Sequence, residues 1–159
     1  MIFIVLGTQK FQLNRLLKLV ASLVEKGQIC DDVYAQIGNS TYIPKHYKYV
    51  RFLDKKDFEQ KMEECEIVVS HSGVGTIISG LKHEKPVIVF PRLEKYGEHV
   101  DDHQLEIGES FSKNNLVFLC GENDDLLELI KKSRTHKFNK YVSQREKMIT
   151  TVNNFLNII

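Results

Sequence analysis

Apolar residues follow two different patterns along this chain. Short apolar runs rich in β-branched residues alternate with longer segments whose apolar residues recur every three or four positions. The short runs are typical of strands buried on both faces of a parallel sheet, and the longer segments are typical of amphipathic helices. The runs predict strands at residues 2–6, 33–37, 47–52, 67–69, 86–90 and 116–119. The periodic segments predict helices near residues 11–24, 54–64, 74–83, 102–113, 124–132 and 138–159.

The alternation of strands and helices predicts the fold class. It favours an α/β fold with a doubly wound, mostly parallel sheet of the Rossmann-like type. A length of 159 residues suits one domain, and neither an internal repeat nor a low-complexity linker divides the pattern. We therefore expect a single domain over residues 1–159.

The last predicted helix, at residues 138–159, carries an apolar stripe that two arrangements would explain. The stripe could pack on the chain's own sheet, or it could dock a partner protein. Basic residues cluster just before this helix and in its first half. Either a solvated helix face or contact with acidic lipid headgroups would account for them. The cluster consists of Lys131, Lys132, Arg134, Lys137, Lys140, Arg145 and Lys147.

Composition and charge exclude several classes of function. A formal net charge of +1 excludes a globally basic surface that coats nucleic acid. Three widely spaced cysteines form no C-x-x-C pattern, so a disulfide framework or a structural zinc is disfavoured and a reducing cytoplasm is expected. No apolar run reaches the length of a membrane span. We expect a soluble chain, or one held at a membrane by another component.

Candidate chemistry begins at a glycine-containing turn. Residues 71–76 read His-Ser-Gly-Val-Gly-Thr and lie between the fourth predicted strand and the helix that follows it. A helix that begins after such a turn presents unpaired backbone N–H groups and the positive end of its dipole, which suits a phosphate. The first strand ends in a second turn of this kind, at Gly7 and Thr8. If the two strands are neighbours, both turns face one crevice at the carboxyl edge of the sheet.

These two turns supply the candidate phosphate-binding residues, and one alternative stays open. An ordinary helix cap by Ser72 would explain the second turn without any ligand. A P-loop ATPase is disfavoured because the turn does not end in Gly-Lys-Ser/Thr. NAD binding is disfavoured because no G-x-G-x-x-G follows the first strand. The candidates are Gly7, Thr8, His71, Ser72, Gly73, Val74, Gly75 and Thr76.

Three segments of the chain resemble a known family. Residues 70–76, 85–89 and 102–104 are similar to the C-terminal, donor-binding half of glycosyltransferase family 28, and the resemblance covers about residues 4–117. Residues 91–99, Pro-Arg-Leu-Glu-Lys-Tyr-Gly-Glu-His, resemble half-length bacterial members in particular. These are the β-1,4-galactosyltransferase subunits of capsule or exopolysaccharide synthesis. The small cytosolic subunit of the dolichol-linked N-acetylglucosaminyltransferase is similar as well.

The resemblance implies an enzyme whose two halves are separate chains. This chain would be one domain of a two-domain GT-B glycosyltransferase and would bind a UDP-sugar as substrate, without a cofactor. A membrane-anchored partner subunit would supply the acceptor domain. The implied reaction is an inverting transfer to a lipid-linked sugar, of galactose in the bacterial likeness. It would take place in the cytoplasm at the inner face of the plasma membrane, which the chain would reach through its partner.

The resemblance also implies roles for particular residues. The glycine-rich turn at residues 71–76 would contact the phosphates of the donor, with the turn after the first strand on the other side of the crevice. Ser79 stands where many relatives have a glutamate that holds the ribose, so it could make one hydrogen bond there. Contacts with the hydroxyls of the donor sugar fall to Asp102, His103 and Gln104.

Sugar transfer from a nucleoside diphosphate also needs charge stabilisation and a general base. A helix N-terminus and a protonated His71 could stabilise the leaving pyrophosphate without a metal. Glu98, His99 and Asp102 are the candidate bases within this chain, and a base from the partner subunit is the alternative. The polar segment at residues 99–103 could be taken for a metal site. Adjacent side chains at a helix start diverge, however, so no metal is expected.

Two other functions fit the same residues. The chain could be a non-catalytic, nucleotide-sugar-binding regulatory subunit whose partner carries out the chemistry. It could also be a hydrolase related to hexose epimerases, which share the fold. That activity needs both halves of a cleft, so a dimer of this chain would have to complete the site.

Overall fold

Parallel strands form a single sheet in the computed structural model, which describes residues 1–143. In chain order, the strands are β1 (Ile2–Val5), β2 (Val33–Gln36), β3 (Lys48–Val50), β4 (Ile67–Ser70), β5 (Val87–Val89) and β6 (Phe118–Leu119). Their order across the sheet is β3-β2-β1-β4-β5-β6, and every neighbouring pair is parallel. The order reverses between β1 and β4. The predicted doubly wound α/β fold is confirmed.

Helices connect every pair of successive strands except β2 and β3 and cover both faces of the sheet. They are α1 (Asn14–Glu25), α2 (Lys55–Glu64), α3 (Val74–Lys82), a 3₁₀ helix (Glu94–Tyr96), α4 (His103–Lys113) and α5 (Leu126–Ser133). Local sequence fixes several of their ends. The Asp54 carboxylate accepts a hydrogen bond from the Asp57 amide at 2.8 Å and caps α2, as its position in the sequence predicts. Asp125 caps α5 in the same way.

The side chains of β1 divide the interior into two cores, because successive residues of a strand point to opposite faces. Ile4 belongs to the core beneath α1 and α5, together with Leu16 and Ile130. Phe3 belongs to the core beneath α2 and α3, on the other face. Both faces of the central strands are thus buried, which explains why their sequences are continuous apolar runs. These cores fix the carboxyl ends of β1, β4 and β5 relative to one another.

The predicted last helix is wrong in its described part. Residues 138–143 are not helical. The Phe138 ring packs edge-on against Phe118 at 4.9 Å between centroids, and the Asn139 amide donates to the Asn115 carbonyl at 2.9 Å. These contacts hold the chain alongside the end of α4, where it cannot close helical hydrogen bonds. The rest of the predicted helix, residues 144–159, lies outside the described residues.

Two other features of the described residues bear on the sequence-based expectations. The third strand is shorter than the predicted 47–52 and lies at the edge of the sheet, where fewer residues find a hydrogen-bonding neighbour. Among residues 1–143, none of the helices combines the length and the apolar character that crossing a bilayer requires.

Candidate functional site

The two glycine-containing turns meet at the carboxyl edge of the sheet. β1 and β4 pair in parallel with Val5 opposite Ser70, so the segments that follow them emerge side by side. Gly7 has a φ of +76°, in the left-handed region that favours glycine, and turns the chain away from β1. The expectation that these strands are neighbours is confirmed. The crevice lies where the strand order reverses, which is the usual ligand site of such sheets.

The imidazole of His71 lies between the two turns. A Cβ atom on Gly7 would lie 2.6 Å from His71 Nε2, and a Cβ atom on Gly73 would lie 2.2 Å from His71 Cε1. Both distances are too short for real atoms, so any side chain at either position would displace the ring. The two glycines therefore make room for His71 as well as for a ligand.

Two side chains contact the other nitrogen of this ring. Arg92 Nη1 lies 2.9 Å from His71 Nδ1, and Gln104 Nε2 lies 3.3 Å from the same atom. Burial, and then the charge of Arg92, lowers the pKa of His71 to about 3, and His99 adds to this effect. His71 is therefore neutral at physiological pH. The expectation of a protonated His71 is wrong, because its surroundings disfavour a second positive charge.

The N-terminus of α3 has no side-chain cap. The N-cap residue Gly73 cannot provide one, and no other side chain within residues 1–143 bonds the first amides of the helix. Val74 and Gly75 are exposed there, and an added Cβ atom on Gly75 would meet nothing within 4 Å. The Ser72 amide is bonded to Gln104, but the backbone N–H groups of residues 73–76 have no side-chain partner among residues 1–143 and lie at the positive end of the α3 dipole.

The Ser72 side chain does not cap helix α3. Its hydroxyl is buried and, among the described residues, has no hydrogen-bond partner. It lies towards α4, where an added Cβ atom on Gly108 would be 3.2 Å from Ser72 Oγ. The open alternative of a Ser72 helix cap is therefore wrong, and the hydroxyl does not line the crevice. Only the backbone of Ser72 belongs to the turn.

Arg92 is buried at the centre of the site although charged side chains are rarely buried. Only 1 % of the residue is exposed, and its guanidinium donates to the carbonyl oxygens of Leu6, Phe11 and Gln12 at 2.7, 3.1 and 3.3 Å. Burial lowers the pKa of Arg92 to about 10, and Glu98 opposes this shift, so the group stays charged at neutral pH. Arg92 ties the loop after β5 to the turn after β1.

Glu98, a candidate base, is also buried, at 1 % exposure, and both of its oxygens are engaged. Arg15 donates to them from Nη2 and Nε at 2.9 and 3.0 Å, and the Leu93 amide donates at 3.0 Å. Arg15 itself lies over the rings of Phe90 and Tyr96, about 4.5 Å from each centroid. Such a bidentate pair is typical of a structural role. His99 and Asp102 are left as the freer candidate bases.

The other candidates in the loop before α4 are closer to solvent. His99 Nδ1 lies 3.1 Å from an Asp101 oxygen, and that same oxygen accepts from the His103 amide, which lowers the pKa of Asp101. An Asp102 oxygen accepts from the Glu94 amide at 2.9 Å. No group of three His, Cys, Asp or Glu side chains within residues 1–143 is arranged to hold a metal ion.

The residues expected to contact the sugar and ribose differ in what they can reach. Gln104 is buried, and its Oε1 accepts from the amides of Ser72 and Arg92 at 3.2 and 3.1 Å, so it braces the site from within. His103 is exposed and faces Glu106, while Ser79 is half-buried on α3. Thr8 is exposed and Thr76 half-buried at the crevice.

A comparison with models of known protein families shows the family to which this chain belongs. The model of the glycosyltransferase family 28 C-terminal domain matches residues 1–157. This chain belongs to that family. The uncapped helix start and the two glycine turns of the crevice are thus features of a glycosyltransferase family 28 domain.

Curated relatives of this family 28 domain are transferases or their subunits. The mouse UDP-N-acetylglucosamine transferase subunit ALG13 is 28% identical over 130 residues, which is 74% of this chain and 10% of the relative. The Saccharomyces cerevisiae protein of the same name is 29% identical over 91 residues, 54% of this chain and 43% of the relative. This chain therefore spans a small part of the mouse protein and less than half of the yeast one.

Several solved structures share this fold, among them the glycosyltransferase SnogD. SnogD from Streptomyces nogalater aligns with a TM-score of 0.58 and 17% identity, over 84% of this chain and 34% of SnogD. Acinetobacter baumannii MurG aligns with a TM-score of 0.54 and 13% identity, over 95% of this chain and 41% of MurG. An ALG13 solution structure aligns at 0.55 and 17% identity, over 95% and 93% of the two chains. The fold is that of one half of a GT-B glycosyltransferase.

Sequence reasoning missed Arg92 and misjudged the surroundings of Glu98. Both lie in a polar loop, where side chains of this type are usually exposed. One signal was present: Arg92 follows Pro91 directly at the carboxyl end of a buried strand, next to the predicted switch point. The crossing of the loop over the turn after β1, which buries both side chains, is a tertiary feature that local periodicity does not encode.

Proposed function

We propose that this family 28 domain binds the diphosphate of a UDP-sugar in the crevice between the turn after β1 and the start of α3. The observation that carries this proposal is the N-terminus of α3, whose first amides have no side-chain cap among residues 1–143 and lie beside His71. A phosphate there would accept from these amides and would lie at the positive end of the helix dipole. The side chain of His71 would add one neutral donor.

The proposed reaction is an inverting transfer of the sugar. An acceptor hydroxyl attacks the anomeric carbon, the bond from that carbon to the β-phosphate oxygen breaks, and the hydroxyl proton passes to a base. UDP leaves with one more negative charge, which the α3 amides stabilise. His99 and Asp102 are the proposed bases in this chain, and a base from a partner is the alternative. We propose that no metal or cofactor takes part, so transfer should persist in excess EDTA.

Two UDP-sugars are candidate donors, UDP-galactose and UDP-N-acetylglucosamine, and a different observation supports each. The similarity of residues 91–99 to bacterial galactosyltransferase subunits favours UDP-galactose. The curated relatives are named for UDP-N-acetylglucosamine, which favours that donor. A cavity of about 260 Å³ lies beside Asp102, and the charged side chains of Arg15, Lys95 and Glu122 that also line it could bind sugar hydroxyls. Competition between the two UDP-sugars for the same site decides between them.

We propose that a membrane-anchored partner subunit supplies the acceptor half. Two observations support this: the fold corresponds to 34% and 41% of two glycosyltransferase chains, and the curated relative is named as a subunit. A lipid-linked sugar at the inner face of the plasma membrane is the proposed acceptor. The chain would then work in the cytoplasm and reach the membrane through its partner.

A non-catalytic regulatory subunit is the second candidate function. The occupied oxygens of Glu98 favour it, because they remove one of the three candidate bases from this chain. In a reconstituted complex with the partner, the regulatory alternative predicts that H99N and D102N leave turnover unchanged. A catalytic base in this chain predicts that one of the two loses most of its turnover while UDP binding persists.

The Gly75→Ala variant tests the proposed phosphate site. A helical Cβ atom points towards the helix N-terminus, so the alanine methyl would intrude on the phosphate while meeting nothing in the free protein. We expect UDP to raise the melting temperature of the wild type more than ADP does, and to raise that of G75A much less. The free variant should be about 0.5–1 kcal/mol more stable than the wild type, since alanine favours helices.

The exposed S110A variant of α4 is the matched control, because it changes helix propensity away from the crevice. It should keep the full response to UDP. An equal response of G75A and the wild type to UDP would contradict the proposed site.

A further inference from the structure

Arg92 and Gln104 both contact the Nδ1 nitrogen of the His71 ring. Because each places an N–H donor there, Nδ1 can only accept a hydrogen bond. Arg92 Nη1 lies 2.9 Å from Nδ1. A guanidinium carries N–H donors and no acceptor, so His71 Nδ1 has to accept the bond. The orientation of Arg92 is itself fixed, because three carbonyl oxygens of the segment after β1 accept its other N–H groups.

The amide of Gln104 leads independently to the same conclusion. Its Oε1 accepts from the backbone amides of Ser72 and Arg92. Turning the amide over would set its NH₂ group against two N–H donors, so the nitrogen has to face His71. His71 Nδ1 therefore accepts from both neighbours, and the proton of the neutral ring lies on Nε2.

We propose that Arg92 and Gln104 are positioning residues that fix His71 as the Nε2–H tautomer and so aim a neutral N–H donor at the diphosphate. The inference rests on the proposed function, because the diphosphate is the acceptor of that bond. Nε2 lies beside Gly7 and Gly73, at the crevice, and makes no hydrogen bond with the described residues. The opposite tautomer would turn a lone pair towards the phosphate oxygens and repel them.

Three elements hold this arrangement in place. Arg92 belongs to the loop after β5, Gln104 to α4, and the carbonyl oxygens that anchor Arg92 to the segment after β1. The positive charge of Arg92 and the burial of the ring also lower the pKa of His71, which keeps the ring neutral. The donor is thus set before any ligand arrives, which limits the cost of ordering it on binding.

Nitrogen NMR of the imidazole in the free, full-length protein reads the tautomer directly. With ¹⁵N-labelled histidine, we expect His71 Nδ1 to resonate as an unprotonated nitrogen and Nε2 as a protonated one. A protonated Nδ1 in the wild type would overturn the inference. This reading needs no ligand, so it is separate from the proposed function, which fails if the wild type binds no UDP.

The Gln104→Glu variant removes one of the two donors to Nδ1. A carboxylate can still accept from both backbone amides, but it has no hydrogen for the ring, so Nδ1 keeps only the Arg92 donor and its nitrogen resonance should move. We expect UDP affinity to fall about tenfold to a hundredfold, as for loss of a hydrogen bond to a charged group. The control is Q36E, which places the same change at another buried glutamine, one that binds the Leu53 amide. It should leave the tautomer of His71 unchanged.

A folded Q104E protein whose Nδ1 resonance and UDP affinity both equal those of the wild type would overturn the role given to Gln104. If Q104E does not fold, R92K serves in its place, since lysine keeps the charge but cannot reach the three carbonyl oxygens and Nδ1 together. We expect its Nδ1 resonance to move and its UDP affinity to fall. If neither changes, Arg92 does not position His71.

Discussion

The imidazole of His71 lies at the centre of the site and contacts the residues that shape it. It leaves no room for a side chain at Gly7 or Gly73, and it brings Arg92 and Gln104 into contact with the same nitrogen. Burial beside a guanidinium keeps the ring neutral. At this scale, the site combines a neutral donor with backbone amides, and none of these groups has to change protonation to bind a phosphate.

The neutral ring predicts a pH dependence of stability. An unfolded histidine titrates near pH 6.5, whereas the pKa of folded His71 is about 3. Between these values the unfolded chain binds a proton that the folded chain does not. The contribution of His71 to stability is therefore complete above pH 6.5 and declines as the pH falls towards 3, by up to about 1.4 kcal/mol per pH unit.

The H71N variant isolates this effect, because asparagine can accept from Arg92 but does not titrate. Urea unfolding at a series of pH values should show that the wild type loses stability more steeply than H71N below pH 6.5. Equal slopes for the two proteins would contradict a neutral His71.

The two buried serines beside His71 differ in whether their hydroxyl makes a hydrogen bond, and alanine substitution measures this difference. Ser70 Oγ donates to the His71 carbonyl at 2.6 Å, whereas Ser72 Oγ has no partner among the described residues. Removing a hydroxyl that makes no bond costs little, while removing a bonded one costs about 1 kcal/mol. We expect S72A to unfold at the same or a higher urea concentration than the wild type, and S70A at a lower one.

The UDP affinity of S72A is a second test of the position of the Ser72 hydroxyl. S72A should bind UDP as the wild type does, because the hydroxyl lies towards α4. A large loss of affinity in S72A would show that Ser72 rotates into the crevice and contacts the donor.

The loop between β5 and α4 is the element on which the site most depends. Two arginines hold it: Arg15 through Glu98, and Arg92 through the carbonyl oxygens of the segment after β1. This loop also carries His99 and Asp102, so its fixed position aims both candidate bases. The loop is held in place although only a short 3₁₀ helix gives it regular structure, because the charged side chains of Arg92 and Glu98 are buried and paired.

The ion pair of Glu98 predicts the effect of E98Q. The variant keeps the size of the side chain but removes the charge that Arg15 binds, so we expect a loss of about 1.5–3 kcal/mol in the free energy of unfolding. Urea unfolding measures this loss. The matched control is E128Q, which breaks the exposed Glu128–Lys131 pair and should have no measurable effect.

Turnover of E98Q with the partner present separates a structural from a catalytic Glu98. The structural role predicts that the remaining activity keeps the pH profile of the wild type. A lost acidic limb in that profile would instead identify Glu98 as the base.

At the scale of the whole molecule, the sequence predicted the sheet better than the site. The apolar runs at 2–6 and 67–69 locate β1 and β4 because both faces of these strands are buried. Their adjacency, and hence the crevice, follows from the doubly wound order, which a fold class implies but periodicity alone does not. The burial of Arg92 and Glu98 could not be predicted, since it depends on a crossing between distant segments. Over residues 138–143, the expected helix was wrong because Asn115 and Phe118 bind that segment in another conformation.

The proposed function depends on whether the amides at the start of α3 bind the diphosphate of a UDP-sugar. Backbone NMR during a titration of the full chain with UDP, and in parallel with ADP, measures this binding residue by residue. We expect the amide resonances of residues 73–76 and of Gly7 to move with UDP at lower concentration than with ADP. Unchanged resonances at these residues, with shifts elsewhere or none at all, would contradict it.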